Sequence, residues 1–248
     1  MNSLLQLFRV LWKAYFLAIS LISLALLYPI FYILLSNKKW FPVAFSLKKI
    51  WGWTLRFLSG MWMVYKKKSP FPEPPYIVCS NHSSYLDIIM MHAAMEDYTV
   101  FMGKAEIAKW PLVNIFFKKN MDIAVDRGSR IAGARSLELA GKEIDKGNCV
   151  VIFPEGTIPA DAPKLKKFKN GAFKLAIEKQ VPIVPISFPD TWKRLQSGAV
   201  LKAMGGAGQV RTYIHEPVST EGMTEKDLVI LRDRIFDIIN EPLQDAGR

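Results

Sequence analysis

The sequence predicts an α/β domain with a largely parallel core sheet flanked by helices, preceded by an N-terminal membrane-binding two-helix segment. Three observations predict it. From Tyr76 onward, short apolar runs alternate with helical patterns, the order of a sheet built from strand–helix–strand units. Ahead of them, residues 15–35 run for about 20 positions without a charge, the length of a membrane-spanning helix. Between the two lie Pro70, Pro72, Pro74 and Pro75, a stiff linker that sets a boundary. Residues 1–68 are read as membrane-anchoring helices and residues 69–248 as the α/β domain.

The first segment is justified by its flanks. Arg9 and Lys13 precede the apolar run and Lys38 and Lys39 follow it. Pro29 interrupts it, so a kink is expected. A cleaved leader is not expected, because the run is too long and no small-residue cleavage site follows. Residues 41–65 mix Trp51, Trp53, Phe57 and Trp62 with Lys48, Lys49 and Arg56, the composition of an interfacial amphipathic helix. Lys66, Lys67 and Lys68 close it, suited to anionic headgroups. Two arrangements remain open: a spanning first helix with the second on the surface, or a hairpin buried in one leaflet. More basic residues follow the apolar run than precede it, which places the α/β part on the cytoplasmic face of a cell membrane.

In the second segment, strand-like runs cover residues 76–80, 98–102, 121–125, 149–153, 183–188 and 209–214. Residues 86–95 are too long and too rich in Met and Ala for a strand and read as a buried helix. Residues 129–146 form the clearest helical pattern, with Gly147 at its end. Thr224-Glu225-Lys226-Asp227 resembles a capping box ahead of a final helix that turns Leu228, Leu231, Ile235, Ile238 and Ile239 inward. Pro182 and Pro185 cannot donate to a sheet, so the run around them should be irregular or near an edge.

Bulk composition narrows the partners. The 248 residues carry a formal net charge of +11, which suits an anionic membrane, a phosphate-bearing substrate, an acidic partner or nucleic acid. No nucleic-acid recognition motif accompanies the charge, so no nucleic-acid partner is expected. Half the residues are hydrophobic. Cys79 and Cys149 sit in apolar runs, give no disulfide framework and fit a reducing compartment. No metal-ligand cluster is visible, and no cofactor is expected.

The chemistry centres on Ser80-Asn81-His82-Ser83-Ser84-Tyr85-Leu86-Asp87, which holds one of three histidines. The strand before it and the helix after it put His82 at a strand exit, where open sheets bind ligands. Two helical positions five apart point about 140° away from each other, so His82 and Asp87 meet only if His82 lies in the turn and Asp87 in the first helical turn. Asp87 then accepts one ring N–H and leaves the other nitrogen as a base near neutral pH. A helix-capping or core hydrogen bond is the bland alternative. Three further stretches sit at strand ends: Ala124-Val125-Asp126-Arg127-Gly128, whose Arg can hold a phosphate bidentately; Phe153-Pro154-Glu155-Gly156-Thr157, a carboxylate, a glycine and a hydroxyl; and Val181-Pro182-Ile183-Val184-Pro185-Ile186, which reads as structural.

Taken together these stretches resemble the glycerolipid acyltransferases. Asn81 to Asp87 is similar to that family's H-x4-D motif, Val125-Asp126-Arg127 to its second block, Phe153 to Thr157 to its F-P-E-G-T block and Val181 to Ile186 to its V-P-I-V-P block. All appear in the family's order across roughly residues 75 to 190, and E-G-T resembles the 1-acylglycerol-3-phosphate branch. The resemblance implies a glycerolipid-acyltransferase-like domain that moves an acyl group from an acyl thioester, on acyl-carrier protein or CoA, to lysophosphatidic acid, yielding phosphatidic acid. It implies His82 as general base and Asp87 as its orienter. Lys104 and Arg127 would be basic substrate contacts, with Glu155, Gly156 and Thr157 holding the glycerol-phosphate end. The family usually has Arg after E-G-T where this chain has Ile158. Lys164, Lys166, Lys167 and Lys169 follow, open as a replacement, a solvated face or a dock for an acidic acyl-carrier protein. Met90, Met91, Met95, Met102 and Met121 are candidates for an acyl tunnel, with adaptable core filler the favoured reading for most of them. Other readings are an acyltransferase for another lysolipid or glycerol-3-phosphate, a membrane-bound thioester hydrolase, and a basic binding module.

Overall fold

The structure is a computed structural model that describes residues 3–126, 128–198 and 201–244. Among these, seven strands share one sheet: β1 (Met61–Lys68), β2 (Ile77–Ser80), β3 (Thr99–Lys104), β4 (Ile123–Val125), β5 (Cys149–Ile152), β6 (Ile183–Ser187) and β7 (Gly208–Ile214). Their order is β1-β7-β6-β2-β5-β3-β4, and every neighbouring pair is parallel except β6 with β7. The expected largely parallel α/β sheet is what forms.

Successive strand residues point to opposite faces, and here both faces are covered. Ile77, Cys79, Val150, Ile152 and Ile183 pack beneath α5 (Arg130–Ile144), α6 (Gly171–Lys179) and α8 (Leu228–Gln244). Tyr76, Val78, Val151, Val184 and Ile186 face α1 (Ser3–Leu34), α2 (Phe41–Leu58) and α3 (Leu86–Ala94). Two short helices, α4 (Asn114–Lys118) and α7 (Thr191–Arg194), complete the chain. The caps follow the local sequence. Ser129 in extended conformation caps α5, whose far end closes where Asn148 N–H reaches Glu143 C=O across Gly147 at φ +85°. Thr224 and Asp227 form the capping box expected ahead of α8, and Leu231, Ile235 and Ile239 are buried as its pattern requires.

The first two helices lie back on the body as a hairpin. Asn37 caps the turn between them, and Pro42 occupies the first turn of α2, where no N–H is needed. Trp12 Nε1–H donates to Ser59 O (3.1 Å) and Trp51 Nε1–H to Ser23 Oγ (2.8 Å), pinning the helices antiparallel. Trp12, Phe16, Leu24 and Phe31 bury one side of α1 from Trp12 onward, and Phe31 meets Phe116 edge to face at 4.9 Å between centroids. The other side is bare: Leu7, Leu11, Leu26 and Ile33 of α1, with Ile50 and Trp53 of α2, are exposed. By length and composition α1 could cross a membrane, its most apolar window having a mean hydropathy of 2.3. Pro29 lies inside this continuous helix.

Two expectations are corrected. Residues 41–65 do not form one amphipathic helix. The helix stops at Leu58, Gly60 turns the chain at φ +67°, and Met61–Lys68 becomes edge strand β1 beside β7. The lysines that suggested a headgroup contact stand on that edge, where charge blocks further strand pairing. A boundary after residue 68 thus falls beyond the first strand of the sheet. Likewise β6 is not at an edge but lies between β2 and β7, although its ladder is irregular on the β7 side, as expected. Pro185 is tolerated because its missing N–H falls between the Ile183–Val218 bridge and the Ile186–Ile214 pair, where the β7 side of the ladder is interrupted.

Candidate active site

The predicted histidine stands in the turn after β2, at the carboxyl edge of the sheet, and α3 begins four residues later. Asp87 occupies the first turn of α3, and its Oδ2 lies 3.0 Å from His82 Nδ1. The same oxygen accepts the main-chain N–H groups of Ser83 (2.6 Å) and Ser84 (2.8 Å), while Oδ1 accepts the Thr191 hydroxyl. Asp87 is fully buried. It accepts from four donors at the N-terminal end of α3. A carboxylate only accepts, so Nδ1 carries the ring proton and Nε2 holds the lone pair.

Around this pair the contacts are dense. Phe153 stacks on the His82 ring at 4.3 Å and 23° between planes. Thr191 Oγ1 also lies 2.9 Å from Ser83 Oγ, so Ser83 donates to Thr191 while Thr191 donates to Asp87. Asn81 exchanges two hydrogen bonds with the main chain of Phe188, tying the exit of β2 to that of β6. Ser84 Oγ–H donates to Leu195 O at 2.6 Å.

Glu155 sits on the turn after β5 with Oε1 on His82 N–H (2.7 Å) and Oε2 on Lys166 N–H (2.8 Å). Both carboxylate oxygens are therefore engaged by main chain. Burial pushes its carboxyl up to about 7, and the two N–H donors, Lys166 then His82, oppose that rise. Gly156 turns the chain at φ +73°, and Thr157 is exposed. Lys104, at the end of β3 on the same edge of the sheet, is exposed and pairs with Glu106 at 3.1 Å. Arg127 lies outside the described residues.

The other reactive side chains are placed away from such chemistry. His92 is held well below its ordinary value by burial and by the Lys48 ammonium, and stacks on Phe101. His215 falls to about 4 because it is buried, with Lys67 adding to the effect. Burial pushes the Cys79 thiol up and that of Cys149 up to about 11, so neither is a ready nucleophile. Met90, Met91, Met95 and Met121 are fully buried in the core on the α3 face of the sheet, and Met102 in the opposite core. Sequence reasoning missed Thr191, Phe153 as the ring's stacking partner, and Asn81 as the link to β6. The one available signal was that residues 188–191 follow β6 and so reach the same sheet edge.

Comparisons with known proteins give the family and the fold. A family model described as Acyltransferase matches residues 62–189. The "1-acyl-sn-glycerol-3-phosphate acyltransferase alpha" of Mus musculus is 32% identical over 194 residues, 73% of this chain and 63% of the mouse protein. A chloroplastic 1-acyl-sn-glycerol-3-phosphate acyltransferase of Brassica napus is 31% identical over 149 residues, 60% of this chain and 42% of that protein. The chain thus spans less than two thirds of the length of these relatives. The crystal structure of the 1-acyl-sn-glycerophosphate (LPA) acyltransferase PlsC from Thermotoga maritima has the same fold, with a TM-score of 0.81 over 97% of both chains at 21% identity.

Proposed function

This chain belongs to the acyltransferase family, and on that premise we propose that it transfers a fatty acyl group from an acyl thioester to the free 2-hydroxyl of lysophosphatidic acid, giving phosphatidic acid. The observation that carries the reading is the buried His82–Asp87 pair at a strand exit, with Nδ1 held by the carboxylate and Nε2 left to act. Nε2 takes the proton of the acceptor hydroxyl as its oxygen attacks the thioester carbonyl. The tetrahedral intermediate then collapses, the C–S bond breaks, and the imidazolium returns the proton to the leaving thiolate. Asp87 stabilises the imidazolium in between, and a base so placed is worth about 10²–10⁴-fold. A thioester is already activated, so a base and a positioned hydroxyl suffice. The mouse and Brassica relatives bear this activity in their names.

In this reading Glu155 is a positioning residue, because its oxygens hold the His82 and Lys166 peptides. Gly156, Thr157, Lys104 and Arg127 are assigned to the glycerol-phosphate end of the acceptor. The donor thiol belongs to CoA or to an acidic acyl-carrier protein, which the net charge of +11 would attract.

The α1–α2 hairpin serves as the membrane attachment. α1 is packed on the body from Trp12 to Phe31, so it cannot leave the body to cross a bilayer without exposing that side. Its bare apolar side, continued by α2, fits burial in one leaflet, with the body on the cytoplasmic face. The test of function is to incubate the purified chain with a labelled acyl thioester and a panel of lysolipids, glycerol-3-phosphate and water alone. Label in phosphatidic acid supports the reading. Preferred label in another lipid reassigns the acceptor, and label released as free fatty acid makes the chain a hydrolase.

A further inference from the structure

The turn that carries Glu155 and Gly156 is covered by a second piece of chain. Lys166 N–H donates to Glu155 Oε2 and Lys169 N–H to Pro154 O at 2.9 Å, so residues 166–169 are held against the two residues that precede Gly156. The Lys169 side chain then crosses the glycine. A methyl group on Gly156 would stand 2.8 Å from Lys169 Cε and 2.9 Å from Nζ. The glycine is needed twice, for its φ of +73° and for the room it gives this lysine.

Lys169 is exposed, and no carboxylate pairs with it among the described residues, whereas Lys142, Lys146, Lys174 and Lys179 each pair with an acid. The carboxylate on the turn beneath it, Glu155, already has both oxygens on main-chain N–H groups. Ile158 supplies no charge to this turn. An ammonium with no carboxylate partner among the described residues therefore lies over Gly156, and Glu155, the preceding residue, grips the peptide of His82.

We propose that Lys169 joins Lys104 and Arg127 as a cation that receives the phosphate monoester of the acceptor, and so helps to set the preference for phosphate-bearing lysolipids. The inference rests on the acceptor reading given above and adds a residue that recognises it. With the acceptor hydroxyl on His82, the phosphate of a glycerol monoester lies only a few bonds further along the backbone. A lysine stem draped over a glycine can follow it as a mobile point charge. Lys164, Lys166 and Lys167 are exposed too, but Lys169 is the one of the four whose stem lies across Gly156.

The test compares the wild-type chain, Lys169→Met and Lys169→Arg in mixed micelles, with lysophosphatidic acid and with the neutral monoacylglycerol of the same chain length. Met keeps the stem over Gly156 and removes the charge. Lys169→Met is expected to raise KM for lysophosphatidic acid about tenfold, the low end for a lost charged hydrogen bond at an exposed group, with little change in kcat. The ratio of kcat/KM for the two acceptors then falls by the same factor, and Lys169→Arg retains it. Equal losses on both acceptors, an unchanged ratio in Lys169→Met, or a ratio lost as fully in Lys169→Arg would overturn the inference while leaving the acceptor reading intact. A wild-type chain that does not favour the phosphate-bearing acceptor overturns both.

Discussion

Oε1 of Glu155 accepts the main-chain N–H of His82 at 2.7 Å, joining the turn after β5 to the turn after β2. The bond fixes the peptide from which the histidine ring projects. Burial of the same carboxyl makes stability depend on pH, and this bond works against that effect. The folded carboxyl, at about 7, lies above its ordinary 4.5, so the folded chain binds more protons between those values. The stabilisation is complete below pH about 4.5 and is lost as pH rises through about 7, by at most about 3 kcal/mol. The melting temperature of the wild-type chain should therefore fall over that interval relative to Glu155→Gln, which does not titrate. Parallel melting curves for the two proteins would contradict the assignment.

Asp87 accepts from His82, Ser83, Ser84 and Thr191 at once. Asp87→Asn offers one acceptor oxygen and adds two donors, so the ring loses its orienting partner. kcat should fall roughly 10²–10⁴-fold, with a smaller change in KM. Thr191→Val strands Asp87 Oδ1 and the Ser83 hydroxyl and should destabilise by about 1–3 kcal/mol in chemical denaturation. Near-normal turnover by folded Asp87→Asn would remove Asp87 from the mechanism.

Lys48 of α2 and Asp122, just before β4, form a buried ion pair at 2.7 Å, with side chains 4% and 6% exposed. Asp122 also accepts the Phe101 N–H at 3.2 Å. Removing one partner leaves a buried charge, so Lys48→Met should cost roughly 3–5 kcal/mol. Adding Asp122→Asn neutralises that charge and keeps an oxygen for Phe101, so the double variant should recover much of the loss. The cycle is read by denaturant titration in detergent; simple additivity would show that the two charges are uncoupled.

Apolar burial, with charge as a secondary contribution, should hold the chain on lipid. It should stay on vesicles in strong salt, which screens lysines, and leave only with detergent. Ile50→Glu with Trp53→Glu, on the bare side of α2, should weaken vesicle binding without lowering the melting temperature. Release of the wild-type chain by salt alone would refute the hairpin's role.

Much of this was legible in the sequence because the signals are local. Uninterrupted apolar runs such as Cys149 to Ile152 mark strands buried on both faces, and the spacing of His82 and Asp87 already required a turn followed by a helix. Strand β1 was hidden because Trp62, Tyr65 and its lysines have the composition of a membrane surface, and only β7, about 150 residues later, makes them a strand. The position of β6 was misread because Pro185 carries a local penalty that a gap in the β7 ladder removes. Thr191 and Lys169 act through contacts set by where the chain folds back, and no short motif records them.

The central claim is that His82 removes the proton from the acceptor hydroxyl. It is tested most directly by the initial rate at which label passes from an acyl thioester into phosphatidic acid, measured for the wild-type chain and His82→Ala at saturating lysophosphatidic acid, with the melting temperature of each recorded. The predicted result is a folded variant whose kcat is lower by at least about 10²-fold. A folded His82→Ala chain that makes phosphatidic acid at a near-normal rate would contradict it.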